Sequence, residues 1–316
     1  MPSLKELGLP TTFDCHTHSG GVDHYNFQKG ILPFAQSVKD LILKMELDGI
    51  TDVVTFPLPS TSYYDIRTWI ETGEKKVSGQ QDYPYQVENA SFLLDCDSCD
   101  ARIYPFLCVD PSNMASKQID YLEKESEKRR IFGLKLHTLA ASATATGLIP
   151  TGFADFAVSH NLPILVHSGL EDPYSHPYNA VKLAQEFPKL RICIAHLARF
   201  DSETLETVSK TDNLFVDCSP FLQLLNIEKQ NPSSSQKQRI DLDNPEETLL
   251  KYYSLLKDHL VWGSDEPWTK FINPKAGYFG AFSHHQEVEV LLKLADLSMT
   301  AVESILHNNP NDFLFG

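Results

Sequence analysis

The chain has 316 residues, 42% of them apolar and 22% charged, and 42 acidic against 27 basic side chains give a formal net charge of -15. This is an ordinary globular composition, long enough to bury one large core or two smaller ones, and its acidity speaks against nucleic acid or anionic membrane as partners, since both need Lys and Arg to neutralise them. MPSLKELGLP lacks the basic and apolar regions of a secretory signal, no apolar run is long enough to span a bilayer, and six cysteines do not make a disulfide framework, so a cytoplasmic location is expected.

In chain order, eight short runs rich in Val, Ile, Leu and Phe predict strands at 11–18, 50–58, 102–110, 131–139, 162–169, 191–198, 213–220 and 260–267. Helical patterns fill the gaps between them. Val38, Leu41, Ile42 and Met45 share one helix face after the first run. Ser112 or Asn113 can cap a helix that runs to about Arg129. Helices follow from Asn179 to Phe187, after Asp201, and from Asn244 and Pro245 through Leu256. Thr300 and Glu303 have capping-box spacing near the end.

Runs that are apolar on both faces suit a covered parallel sheet. Eight strand–helix alternations predict a (β/α)8 TIM barrel, slightly distorted, as one domain over residues 1–316. A doubly wound open sheet is the alternative, but the first run ends in HTHSGG and lacks a GxGxxG turn. The low-complexity stretch EKQNPSSSQKQR (228–239) follows the seventh strand and is read as a lid over the mouth or a disordered insertion. Cys96 and Cys99 form one CxxC without the second pair of a zinc ribbon, and are expected to be surface thiols.

The reactive side chains fall at strand ends. His16 and His18 end the first strand, Lys135 and His137 the fourth, His167 the fifth, His196 the sixth and Asp265 the eighth. About half of one His-x-His triplet is expected by chance among twelve histidines in 316 residues, so the triplet says little alone. Convergence on the C-terminal mouth of a barrel, where active sites of this fold sit, says more. Alternation lets His16 and His18 face one side, and His167 and Asp265 can complete a shell of three imidazoles and a carboxylate. Such a set suits one divalent ion, zinc first, with manganese or iron as alternatives. Asp265 can take a proton from the activated water, and His196 can hydrogen-bond that water or polarise a substrate oxygen.

The ordered set DCHTH, KLH, LVHSG, IAHLAR, GSDEP and HNNPNDFLF resembles the amidohydrolase superfamily. Within it the likeness is to the amidohydrolase-related branch of metal-dependent hydrolases, which includes aminocarboxymuconate-semialdehyde decarboxylase-like enzymes. It runs from Phe13 to Phe315. The resemblance implies His16, His18, His167 and Asp265 as ligands of one divalent ion, with His196 catalytic beside them. A Lys at the fourth strand is carboxylated and bridges two metals in several relatives, so Lys135 is the residue on which a second ion depends. Asn308, Asn309 and Pro310 resemble the family's C-terminal turn, a structural feature.

Substrate contacts are expected from His137, from Arg199 as a carboxylate clamp, and from Trp268, with Phe56 and Tyr278 as further walls. The loop 169–180 brings Glu171, Asp172 and His176 near the mouth, and a solvated loop is the preferred reading. Three functions are open: hydrolysis of an amide, ester or lactone in a small molecule, non-oxidative decarboxylation or hydration of a small carboxylic acid, and an inactive metal-stabilised binding barrel. A homo-oligomer is compatible with each.

Overall fold

The computed structural model describes residues 3–20, 36–99, 102–170, 172–230, 241, 243–268, 270–273 and 278–316. Eight parallel strands run in sequence order: β1 (Phe13–Ser19), β2 (Asp52–Pro57), β3 (Arg102–Val109), β4 (Gly133–Leu136), β5 (Ile164–Val166), β6 (Ile192–Ile194), β7 (Leu214–Asp217) and β8 (Leu260–Val261). Irregular bonds close the ring. Cys15 donates to the Trp262 carbonyl at 3.0 Å, Asp265 to the His16 carbonyl at 2.7 Å and His18 to the Glu266 carbonyl at 2.6 Å.

Two apolar layers follow from the alternation of strand side chains. Phe13, Cys15, Val54, Phe56, Phe106, Cys108, Leu165, Cys193 and Phe215 fill the barrel. Leu107, Leu134, Leu136, Ile164, Val166, Ile192, Ile194 and Val216 face outward, against the helices. Gly133 is small for a reason: a Cβ there would collide with the Phe106 ring.

The eight strands stand where the sequence puts them, but β5, β6 and β8 stop early. HSG, AHLA and GSDEP are mouth loops, whose backbones turn away from the ladder to aim side chains at the site. Beyond β8, β9 (Lys270–Asn273) and β10 (Tyr278–Ala281) form an antiparallel hairpin that the sequence reading does not contain.

The caps differ in detail. Ala115–Lys128 starts after Met114 in the left-handed region without a side-chain cap; the Ser112 hydroxyl donates instead to Asp110 and the Asn113 amide to the Tyr64 hydroxyl. Ser298, rather than Thr300, caps Met299–Glu303, and a π turn over Ser304–Asn308 follows. Asn309 is buried and its amide donates to the carbonyls of Lys257 and Leu260 at 2.8 and 2.7 Å. The Asn-rich turn thus ties the C-terminus to the start of β8. Cys96 is buried, not a surface thiol, since it lies on the inner face of Gln86–Asp97. Residues 231–239 of the low-complexity stretch lie outside the described residues. Among the described residues, no helix is long and apolar enough to cross a membrane.

Candidate metal centre

Strict alternation along β1 would put Phe13 and Cys15 on one face and Asp14, His16 and His18 on the other. Both sets cannot then enter the barrel. The register resolves this by slipping one residue: Asp14 pairs with Val53, but Thr17 pairs with Thr55. Phe13 and Cys15 stay in the interior, and His16 and His18 turn inward as well. Their ring centres lie 5.6 Å apart, and both rings pack on Phe56 at 5.1 and 4.5 Å.

Asp265 meets them from the far side of the ring closure. Its backbone adopts a positive φ of 58°, held by the bond from its N–H to the His16 carbonyl. Its Oδ1 lies 3.2 Å from the Nε2 atoms of both His16 and His18. That oxygen is buried and has no hydrogen-bond partner. Gly263 permits the approach, since a Cβ there would lie 2.6 Å from the His16 Cβ.

The outer nitrogens fix the tautomers. His16 Nδ1 lies 2.8 Å from Asp217 Oδ2 and 2.9 Å from the Ser219 hydroxyl. His18 Nδ1 donates to the Pro57 carbonyl at 3.2 Å, and His196 Nδ1 to the Ser219 carbonyl at 2.6 Å. In neutral His18 and His196, Nε2 is therefore a lone pair: that of His18 faces inward, available to a metal, and that of His196 accepts from His167 Nδ1 at 3.0 Å. Burial pushes both pKa values down to about 4. His167 and His137 are driven well below the ordinary value by burial and neighbouring imidazoles. For His16, burial and the Lys135 ammonium lower the pKa, but Asp217 and Asp265 outweigh them and it ends above the ordinary value. Asp265 stays ionised, because its histidine neighbours outweigh its burial.

An orphaned carboxylate oxygen, two imidazole nitrogens aimed at it and a His18 ring held neutral fit a divalent cation. Ligand atoms of His16, His196 and Asp265 lie within 4.8 Å of one another, and this is the only such group among the described residues. His18 joins through Asp265. His167 stands one ring further out, its Nδ1 3.0 Å from His196 Nε2, and is stacked face to face on His137 at 4.1 Å. His137 accepts from the Ala140 N–H and so caps the short helix Thr138–Ala141. Lys135 is buried over Phe56 at 4.5 Å, with Nζ 3.2 Å from His16 Nε2. Burial lowers its pKa to about 8.

Trp268 is half-buried, its ring edge-on to His18 at 6.5 Å. Arg199 is half-buried on an unusual turn. His196 to Phe200 all have positive φ, from 46° to 62°, one left-handed turn in a chain of L-residues. Asp172 accepts the N–H groups of Tyr174 and Ser175, so it shapes its own loop, and His176 is exposed. Glu171 and the side chain of Tyr278 lie outside the described residues.

Sequence reasoning missed Asp217. It ends β7 and accepts from His16, from the His196 N–H at 3.0 Å and from Ser219. Its signal was present, because it occupies the same strand-end position that singled out the histidines.

A family model described as amidohydrolase matches residues 69–316. That match begins beyond His16 and His18, and includes Lys135, His167, His196 and Asp265. No curated protein matches the chain. Among solved structures, an uncharacterised TIM-barrel protein of Bordetella bronchiseptica is 15% identical, with 96% of this chain and 98% of that chain covered and a TM-score of 0.62. A 5-carboxyvanillate decarboxylase of Novosphingobium aromaticivorans, solved with bound manganese, is 12% identical, with 99% of both chains covered and a TM-score of 0.61. A probable 2-pyrone-4,6-dicarboxylic acid hydrolase of Acinetobacter baumannii is 14% identical, with 96% and 99% covered and a TM-score of 0.56. At these identities the likeness is one of fold. The family match spans most of the sequence, and the chain belongs to the amidohydrolase family of TIM-barrel proteins.

Proposed function

We propose that this protein is a metal-dependent hydrolase of a small molecule, acting on an amide, ester or lactone. The observation that carries the reading is the convergence of His16 and His18 Nε2 on the orphaned Oδ1 of Asp265. His16, His18, His167 and Asp265 would hold one divalent ion, zinc before manganese or iron. Such an ion lowers the pKa of a bound water to about 7 and polarises a carbonyl oxygen.

The chain's own groups do the rest. Asp265, ionised and buried, accepts the proton of the attacking water and returns it to the leaving group. His196 presents a lone pair at Nε2, because Nδ1 is committed to the Ser219 carbonyl. That lone pair accepts from His167 Nδ1 at 3.0 Å, so His196 orients the water as an acceptor, rather than polarising substrate as a donor, once His167 gives up that bond to hold the ion. Phe56 and Trp268 form apolar walls beside His18. His137 supports the His167 ring, and Arg199 remains the candidate clamp for a substrate carboxylate. With Lys135 as a free amine against His16, one ion suffices; a second requires its carboxylation.

Non-oxidative decarboxylation is the second reading. It draws support from the buried Lys135 amine facing the cluster, a charge that would hold a carboxylated substrate. Release of carbon dioxide rather than uptake of water identifies it. The partners proposed are a small-molecule substrate and a second copy of the chain, not nucleic acid or membrane. Free cysteines throughout suit the reducing cytoplasm.

Elemental analysis tests the reading. About one divalent ion per chain is expected, lost when His16 and His18 are both replaced by Ala. Asp265→Asn should lower turnover by about 10²–10⁴-fold, the usual loss when a general base is removed. Full turnover in that variant would refute the mechanism.

A further inference from the structure

We propose that His284, acting through Asp14, is a positioning residue that sets the spacing between His16 and Asp265 across the β8–β1 seam. The inference rests on the metal site proposed above, and concerns residues outside it.

The seam needs such a device. β8 has two residues and β1 carries a bulge at this point, so no regular ladder joins them. Asp14 lies there with its side chain turned out of the barrel. Its Oδ1 accepts from the His16 N–H at 3.2 Å and from the Ser264 N–H at 3.0 Å. One donor belongs to a candidate ligand, and the other immediately precedes Asp265. A single carboxylate oxygen thus bridges the two sides of the site.

The other oxygen of Asp14 explains how the bridge is held. Oδ2 is buried without a hydrogen bond, and so is His284 Nε2, and these two atoms face each other at 3.6 Å. His284 Nδ1 lies 2.6 Å from Asp48 Oδ2, and the second Asp48 oxygen lies 2.6 Å from His285 Nδ1. His284 opens the helix His284–Leu297 and Asp48 ends the helix Val38–Asp48. One outer helix thus sets His284 against the seam carboxylate, and the other braces that ring through Asp48. Burial lowers the His284 pKa, but Asp14 and Asp48 outweigh it and raise the value to about 9. The ring is a buried cation between two carboxylates. Without it, Asp14 is a buried carboxylate with no group facing Oδ2, and the bridge loses the contact that holds it in place.

Zn²⁺ alone is the probe. His284→Gln, Asp14→Asn and the double variant of the full chain are titrated with Zn²⁺ against a competing chelator, and melted with and without Zn²⁺. Each single variant should weaken binding by about 10–100-fold, the usual effect of an outer-shell partner. The double variant should be no worse than the weaker single, because the two residues act as one unit. The rise in melting midpoint on adding Zn²⁺ should shrink. Affinity within twofold of wild type in His284→Gln, or midpoints that fall in parallel with and without Zn²⁺, overturns the proposal. If His284→Gln does not fold, Asp48→Asn answers the same question with the ring retained. Zn²⁺ lost in His16→Ala but kept in His284→Gln refutes this inference and leaves the metal site standing. A wild-type chain that binds no Zn²⁺ overturns both.

Discussion

Asp217 shows how much a buried carboxylate does without touching substrate. It fixes the His16 tautomer, accepts the His196 N–H and takes both donors of Ser219. Its histidine neighbours outweigh burial and keep it ionised. Asp217→Asn preserves the shape but removes the charge that orients His16. We expect about 10–100-fold weaker metal binding with the fold retained, measured by Zn²⁺ titration and circular dichroism. Sequence reasoning singled out His16, His18, His167, His196 and Asp265 because position at a strand end is a one-dimensional property. It missed Asp217, Asp14 and His284 as partners, because which carboxylate meets which imidazole is decided by packing between elements far apart in the chain.

The left-handed turn from His196 to Phe200 is the costliest local element. Left-handed backbone disfavours L-residues by roughly 1–2 kcal/mol each, so five in succession cost on the order of 5–10 kcal/mol. Burial of Leu197, Ala198 and Phe200 and the grip of Asp217 on the His196 N–H offset this. Such strain is kept where function needs the geometry. A β-branched side chain tolerates this region least. Ala198→Val should therefore lose about 1–3 kcal/mol of stability, measured by urea denaturation. The eight strands were legible as runs of Val, Ile, Leu and Phe, whose apolar signal is local. The turn was not, since AHLARF has none of the glycines that usually announce positive φ. The early end of β6 was hidden because Ala195, Leu197 and Ala198 continue the apolar run past the last ladder bond, whereas β5 and β8 end where HSG and GSDEP break it.

Across the whole molecule, buried titratable groups set a pH window for the metal-free chain. His284, raised to about 9, gives stability that is whole below pH 6.5 and lost as pH rises through 9. Glu287, raised by burial from 4.5 to about 8, acts in the same direction, its contribution whole below pH 4.5 and lost as pH rises from there through 8. His18 and His196, lowered by burial to about 4, act in the opposite direction. They fold neutral, so protonation of the unfolded chain below pH 6.5 drains stability. Melting of the metal-free protein should peak near pH 6.5 and fall on both sides; a midpoint flat from pH 5 to 9 would contradict these assignments. The closure of the ring has a mechanical consequence. His16 and His18 stand on one side of the irregular join and Asp265 on the other, so an ion between them would act as a rivet through the weakest junction of the barrel. Stripping the metal should then unfasten that junction before any other. Deuterium should enter at the His18 and Asp265 amides first, while the ladders from β3 to β6 stay closed.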